Sequence, residues 1–362
     1  MSPITLKQKI GQLFFIGIPG PEIDELTRDL LDEIQPGGVC LFSRNIRERI
    51  QTRRLLDELR ESLDDPFLSI DQEGGLVDRL RRVVTPMPPP ELIRTPEDAA
   101  EFGRIIAETL RVLGFNMNFA PVVDVVDSDR QRFSNGLHSR ALGRSKEQAT
   151  EFASTFMQAM QGAGCLGCVK HFPGLGTSEV DSHKELPLVS ISQDEFSNTD
   201  LFPYRALLAE GIVKSVMIAH AAFPNIRLQE ADQNGKLLPS SLSPSIISNL
   251  LRRELGYDGL VLTDDLEMGA IVENYGIGEA CKMAIAAGAD MLAICAGVEA
   301  IKEGHAAISD AADKGEISSE RIDESIARIS STKKYLSEPL PFDDVRLNSL
   351  SDEIARFTER LK

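Results

Sequence analysis

The strongest constraint on the fold is a set of short apolar runs separated by helical segments. The runs cover 13–18, 38–42, 67–71, 116–124, 165–171, 213–220, 259–264 and 291–296. Several are continuous Val, Ile, Leu, Met and Phe rather than strict alternation, the pattern of strands buried on both faces of a parallel sheet. Eight such strands with helices between them predict an α/β fold, a (β/α)8 TIM-like barrel. A doubly wound open sheet is the structural alternative, but no GxGxxG turn follows an early strand to support it.

The intervening segments carry helix signals. Thr95-Pro96-Glu97-Asp98 supplies an N-cap, a first-turn proline and early acids ahead of an apolar face over 102–113. Ser145-Lys146-Glu147-Gln148 reads as a capping box before Ala149, Phe152, Ala153, Phe156 and Met160. Ser243-Pro244 opens a helix that Gly256 closes. From about residue 317 the chain is helical and charged, without another strand. Residues 1–362 are therefore expected to form a single barrel domain with its last helices packed on it and no second α/β sandwich domain.

Composition narrows the function classes. A net charge of −17 argues against nucleic acid, which needs a basic surface. The first residues lack a signal-peptide pattern, and no apolar run approaches a bilayer's thickness, so a cytoplasmic protein without membrane contact is expected. A monomer is expected as well. Five cysteines in apolar segments fit reduced core thiols. Cys165 and Cys168 have CxxC spacing, but they lie inside a predicted strand with no second pair at ligand spacing.

Polar residues gather at one end of the predicted strands. Asp71 ends the third, Asp124 the fourth, Lys170-His171 the fifth, His220 the sixth and Asp264-Asp265 the seventh. Barrel enzymes carry their chemistry at those C-terminal ends. After the fifth strand, Lys170-His171-Phe172-Pro173-Gly174-Leu175-Gly176 leads into Asp181-Ser182-His183. A cation, a Gly/Pro-shaped loop and an Asp-x-His pair together make a loop that carries its own proton-transfer group.

These residues resemble the β-N-acetylglucosaminidase branch of glycoside hydrolase family 3. The likeness extends through Asp71-Gln72-Glu73-Gly74-Gly75 with Arg79, Asn118-Phe119-Ala120-Pro121-Val122-Val123-Asp124, Ser139-Arg140, Met217-Ile218-Ala219-His220 and Thr263-Asp264-Asp265-Leu266-Glu267-Met268. The resemblance implies Asp264 as nucleophile, His183 as general acid/base and Asp181 as its partner. It implies that Asp71, Arg79, Arg140, Lys170 and His171 bind the sugar, a small carbohydrate substrate, with no metal or organic cofactor. Two positions depart from the family pattern: Leu175 stands where His is found, and Leu76 where Arg is usual.

The chemistry suits a retaining glycosidase. A carboxylate attacks the anomeric carbon, while an imidazole donates a proton and later takes one back. Blander readings set the contrast. Asp265 is expected to cap a helix N-terminus. Arg140 fits an ordinary loop salt bridge, and Asp124 and His220 fit supporting roles. Buried Lys170 needs a polar partner, which a sugar hydroxyl would provide. The chain has no Trp, which points to a short, polar-gripped subsite and removal of one terminal sugar. The alternatives are a phosphorylase of the same family, a sugar-binding pseudoenzyme, and a metal-dependent hydrolase using His171, His183, Asp181 and Asp264. The last lacks an HxH pair at the first strand or an HExxH helix.

Overall fold

In the computed structural model, residues 4–133, 136–178 and 185–362 are described. Among them every strand pairing in the sheet is parallel. The strands are β1 (Phe14–Ile16), β2 (Gly38–Leu41), β3 (Phe67–Ile70), β4 (Met117–Asn118), β5 (Leu166–Gly167), β6 (Val169–Phe172), β7 (Ser215–Ile218), β8 (Leu260–Asp265) and β9 (Met291–Ile294). They follow the order β5-β4-β3-β2-β1-β9-β8-β7-β6. The two outer strands are thus consecutive in sequence, and the sheet curls into a nearly closed barrel.

Eight predicted strands become nine because the fifth run divides. At the division, Cys168 N–H donates to the Ala120 carbonyl at 2.9 Å. The fourth run is also shorter than predicted as a ladder. Pro121 has no N–H to give, so regular pairing stops at Asn118. The chain then continues extended and meets the far side of the seam, where Val123 N–H donates to the Lys170 carbonyl at 2.8 Å. This irregular seam sets Asp124 against His171.

The helices start where the sequence places them. Thr95 Oγ1 accepts from Asp98 N–H at the head of the helix Pro96–Leu113, and Ser145 caps Lys146–Gly162. These two helices lie close, for a Cβ on Gly103 would sit 2.5 Å from the Phe156 carbonyl oxygen. The last helix, Asp344–Leu361, stacks Phe357 on Phe102 at 5.9 Å and ties Arg346 to Glu108. All five cysteines are buried and unbridged, and burial pushes the Cys165 and Cys168 thiols up to about 12. Cys165 and Cys168 are inert core thiols.

Candidate active site

A cleft of about 340 Å³ opens at the C-terminal ends of the strands. Its lining brings together Asp71, Arg79, Arg140, Lys170, His171 and Asp264, six of the residues singled out in the sequence. Asp181 and His183 lie outside the described residues. The loop that leads to them enters the cleft wall at Leu175 and Ser178.

Lys170 belongs to β6 and is only 2% exposed. The polar partners that the sequence called for include two carboxylates, Asp71 and Glu73, each at 2.6 Å. Glu73 in turn receives Arg140 through a two-pronged pair, Nε at 2.8 Å and Nη2 at 2.9 Å. The Arg140 salt bridge therefore exists, but it lies inside the cleft rather than in an ordinary loop. Burial opposes the charge of each group, and each neighbour's opposite charge outweighs it. Glu73 is held well below the usual carboxylate range, and Lys170 and Arg140 are pushed above theirs. Two cations and two anions thus form a fixed, ionised wall. Asp71 is the more exposed of the two carboxylates, so it is the acid on this wall that can reach a ligand.

Glu73 is the residue that sequence reasoning passed over. It stood in the quoted Asp-Gln-Glu-Gly-Gly stretch without a role. A fully buried lysine flanked by one candidate carboxylate was the available signal, since such a charge needs full compensation.

Arg79 is held from below. Gln72 is buried, and its Oε1 accepts from Arg79 N–H at 2.9 Å and Leu80 N–H at 3.2 Å. Asn118 locks the Gln72 backbone from both sides, at 2.9 and 3.0 Å. The guanidinium lies 5.9 Å from the centre of the Phe42 ring. Its Nε is buried with no hydrogen-bond partner among the described residues.

His171 donates from Nδ1 to Asp124 Oδ2 at 2.7 Å, which fixes the ring and directs Nε2 chemistry to the cleft it lines. Asp124 also accepts from Leu175 N–H at 2.7 Å, so one carboxylate positions both the imidazole and the loop base. The same loop passes so close to the neighbouring chain that a Cβ on Gly176 would sit 2.0 Å from the Val125 carbonyl oxygen. Only glycine fits there. His220 donates from Nε2 to the Asp265 carbonyl at 3.0 Å, leaving Nδ1 to accept from Ser241 Oγ at 2.7 Å. Burial lowers its pKa, consistent with a neutral ring that braces the end of β8. Asp124 and His220 thus have the supporting contacts expected of them.

Asp264 and Asp265 are adjacent at the end of β8, and their environments push them apart. Burial alone would raise Asp264. Electrostatic attraction from the His171 and His220 imidazoles and from Lys170, together with the hydrogen bond from Asp265 N–H, outweighs that and holds its carboxyl below the usual aspartate value. It makes no ion pair among the described residues. Asp265 goes the other way: burial raises it to about 7. It does not cap a helix, as the sequence suggested. It ends the strand and accepts from Glu267 N–H at 3.1 Å and Cys295 N–H at 3.3 Å, while the next helix starts only at Gly269. The strand runs one residue further than predicted because β8 shifts register against β9 there, pairing Asp265 with Ala293.

An ionised aspartate at a barrel mouth, without an ion pair among the described residues and beside a wall of fixed hydrogen-bonding charges, is the layout of a barrel glycosidase. The comparisons agree. Residues 5–332 match the model of the glycosyl hydrolase family 3 N terminal domain, and the chain belongs to that family. It is 33% identical over 298 residues to a β-hexosaminidase of Tolumonas auensis, covering 80% of this chain and 85% of that protein. With a β-hexosaminidase of Pseudomonas aeruginosa it shares 34% over 288 residues, 77% of this chain and 81% of the relative. A solved family 3 β-N-acetylglucosaminidase from Paenibacillus sp. str. FPU-7 superposes with a TM-score of 0.87 at 36% identity, covering 98% of this chain and 69% of that one. The protein is a glycosidase.

Proposed function

We propose that this chain is a retaining exo-β-N-acetylglucosaminidase, a β-hexosaminidase that removes a terminal β-linked GlcNAc. The observation that carries the reading is Asp264, held ionised and without an ion-pair partner among the described residues, in the cleft that Lys170, Glu73, Arg140 and Asp71 wall. Asp264 attacks the anomeric carbon, and the glycosidic C–O bond breaks as the leaving oxygen takes a proton from His183. Water then attacks the glycosyl-aspartate, gives its proton to His183 and frees Asp264. Asp181 orients the imidazole and stabilises its charged form. Asp71, Arg79, Arg140, Lys170 and His171 hold the sugar by its polar groups.

Cell-wall fragments carrying GlcNAc on anhydro-N-acetylmuramic acid are the natural substrate class in this reading, met during peptidoglycan turnover. A single barrel domain acting as a cytoplasmic monomer fits the five unbridged cysteines and the packing of the last helices on the barrel. No helix among the described residues is long and apolar enough to cross a membrane.

The test is release of p-nitrophenol from its β-GlcNAc and β-glucose glycosides, with and without phosphate. The GlcNAc compound is expected to be cleaved, and Asp264→Ala and His183→Ala to lower kcat by about a thousandfold or more. An Asp264→Ala variant with near-normal turnover would overturn the assignment. A phosphate-dependent sugar-1-phosphate product would move it to a phosphorylase.

A further inference from the structure

The turn at the cleft mouth holds a cation that has no acidic partner among the described residues. Leu76 and Val77 line the cleft, and Leu76 stands where the family pattern usually has Arg. Arg81 returns a guanidinium to that turn. Its Nη2 donates at 3.1 Å to the carbonyl of Gly75, in the peptide group that joins Gly75 to Leu76, and its Nε donates to the Asp78 carbonyl at 3.0 Å. Both partners are neutral. Exposed arginines elsewhere on the chain meet acids: Arg54 pairs with Glu58, Arg144 with Glu91, and Arg360 with Asp98 and Glu101. In a chain of 56 acidic residues and 39 lysines and arginines, an exposed arginine oriented by carbonyls alone is set apart.

The guanidinium is also anchored to a rigid base. Gly74 and Gly75 have φ of +94° and +56°, values that side-chain-bearing residues resist. Gly75 N–H donates to the Met87 carbonyl at 3.1 Å. The Asp78 carboxylate is buried and engaged within the chain, for it accepts from Gln72 Nε2 at 2.8 Å, Leu80 N–H at 3.1 Å and Met87 N–H at 2.9 Å. The carbonyls of Gly75 and Asp78 thus occupy two of the five guanidinium N–H groups and leave the others for a ligand. A donor fork already held in one orientation loses little freedom when a carboxylate meets it.

This inference rests on the exo-glycosidase reading above and names the leaving-group chemistry of the same site. With the terminal sugar on the charged floor, the atoms beyond the glycosidic oxygen leave toward the mouth. We infer that Arg81 is a specificity-determining residue for the aglycone, selecting leaving groups that carry a carboxylate. The floor does not serve a carboxylate in this way, because Lys170 and Arg140 are already paired with Asp71 and Glu73.

Two aryl β-GlcNAc glycosides test this, one carrying a 4-(2-carboxyethyl) group and the other its uncharged counterpart, 4-(2-carbamoylethyl). The wild type is expected to favour the carboxylate by roughly fivefold in kcat/KM at low salt, the scale of an exposed ion pair, and by less in molar salt. Arg81→Gln should bring the ratio to about one, and Arg81→Lys should retain part of it. Arg82→Gln removes the same charge from the exposed neighbouring residue and should leave the ratio within about twofold of wild type. Three results would overturn the inference: a wild type that does not distinguish the glycosides, an equal loss on both in Arg81→Gln, or a ratio that Arg82→Gln moves as far. A wild type that cleaves neither compound and is not inhibited by free GlcNAc would bring down the glycosidase reading itself, and this inference with it.

Discussion

The two ends of the barrel each bury a cluster of charge, and the clusters are built differently. At the N-terminal end Asp290, fully buried just before β9, accepts from five donors. Arg252 lies at 2.5 Å, Val261 N–H at 3.0 Å, Ser325 at 3.1 Å, and Arg321 and Arg328 at 3.3 Å. Both its oxygens are used, and the effect is to fasten the helix Ser319–Lys333 to the barrel. At the C-terminal end the Lys170–Glu73–Arg140–Asp71 wall is also charged, but it borders Asp264, which makes no ion pair among the described residues. Charge that is fully matched holds a fold together. Charge that is fixed but incompletely matched can bind and react.

The largest effect is expected at the closed end. Asp290→Ala removes the shared carboxylate from three partly buried arginines and should cost about 3–5 kcal/mol in urea unfolding, the range for breaking a buried ion pair. The kcat and KM of the molecules that remain folded should stay within about twofold of wild type. A variant of normal stability with impaired turnover would reverse the contrast.

How far the sequence anticipates this contrast depends on range. The strands, the helix caps and the gathering of Asp71, Lys170, His171 and Asp264 at one end were all legible, because each follows from local periodicity or from strand ends in a barrel. The motif spacing also marked Arg79 and Arg140. Partnerships between distant segments were not legible. Nothing local tells that Lys170 pairs with Glu73, or that Asp265 completes a strand instead of capping a helix. The division of the fifth run likewise depends on Ala120, a residue from another segment. Asp290 gave no signal either, since its arginines come from two separate helical segments. Asp181 and His183 rest on sequence alone.

A second prediction concerns pH and separates the two neighbouring aspartates. Asp265 is raised to about 7 by burial. Between its unfolded value near 4 and that folded value the native state binds the extra proton, so stability falls as pH rises through this window. Asp265→Asn removes the titration while keeping an acceptor for Glu267 and Cys295. Its stability relative to wild type should therefore climb by on the order of 3 kcal/mol from pH 4 to pH 7.5. Urea melts at four pH values would show it. Parallel wild-type and variant curves would mean that Asp265 is ionised throughout, like Asp264.

The smallest effect sharpens the comparison most, because it alters the open end without emptying it. Glu73→Gln keeps the shape and one acceptor, but it leaves Lys170 with one carboxylate, Asp71, and Arg140 without its paired carboxylate. Stability should drop by about 2 kcal/mol, the cost of a weakened charge-assisted network. Unlike Asp290→Ala, the variant should also bind substrate less well. Lys170 would draw Asp71 toward itself and away from the sugar, so KM for a β-GlcNAc glycoside should rise roughly tenfold while kcat moves less. If Glu73→Gln lost stability alone, the wall would be scaffolding of the same kind as the Asp290 cluster. The sugar would then be held chiefly by Arg79 and His171, the two cleft groups whose positions do not depend on Glu73.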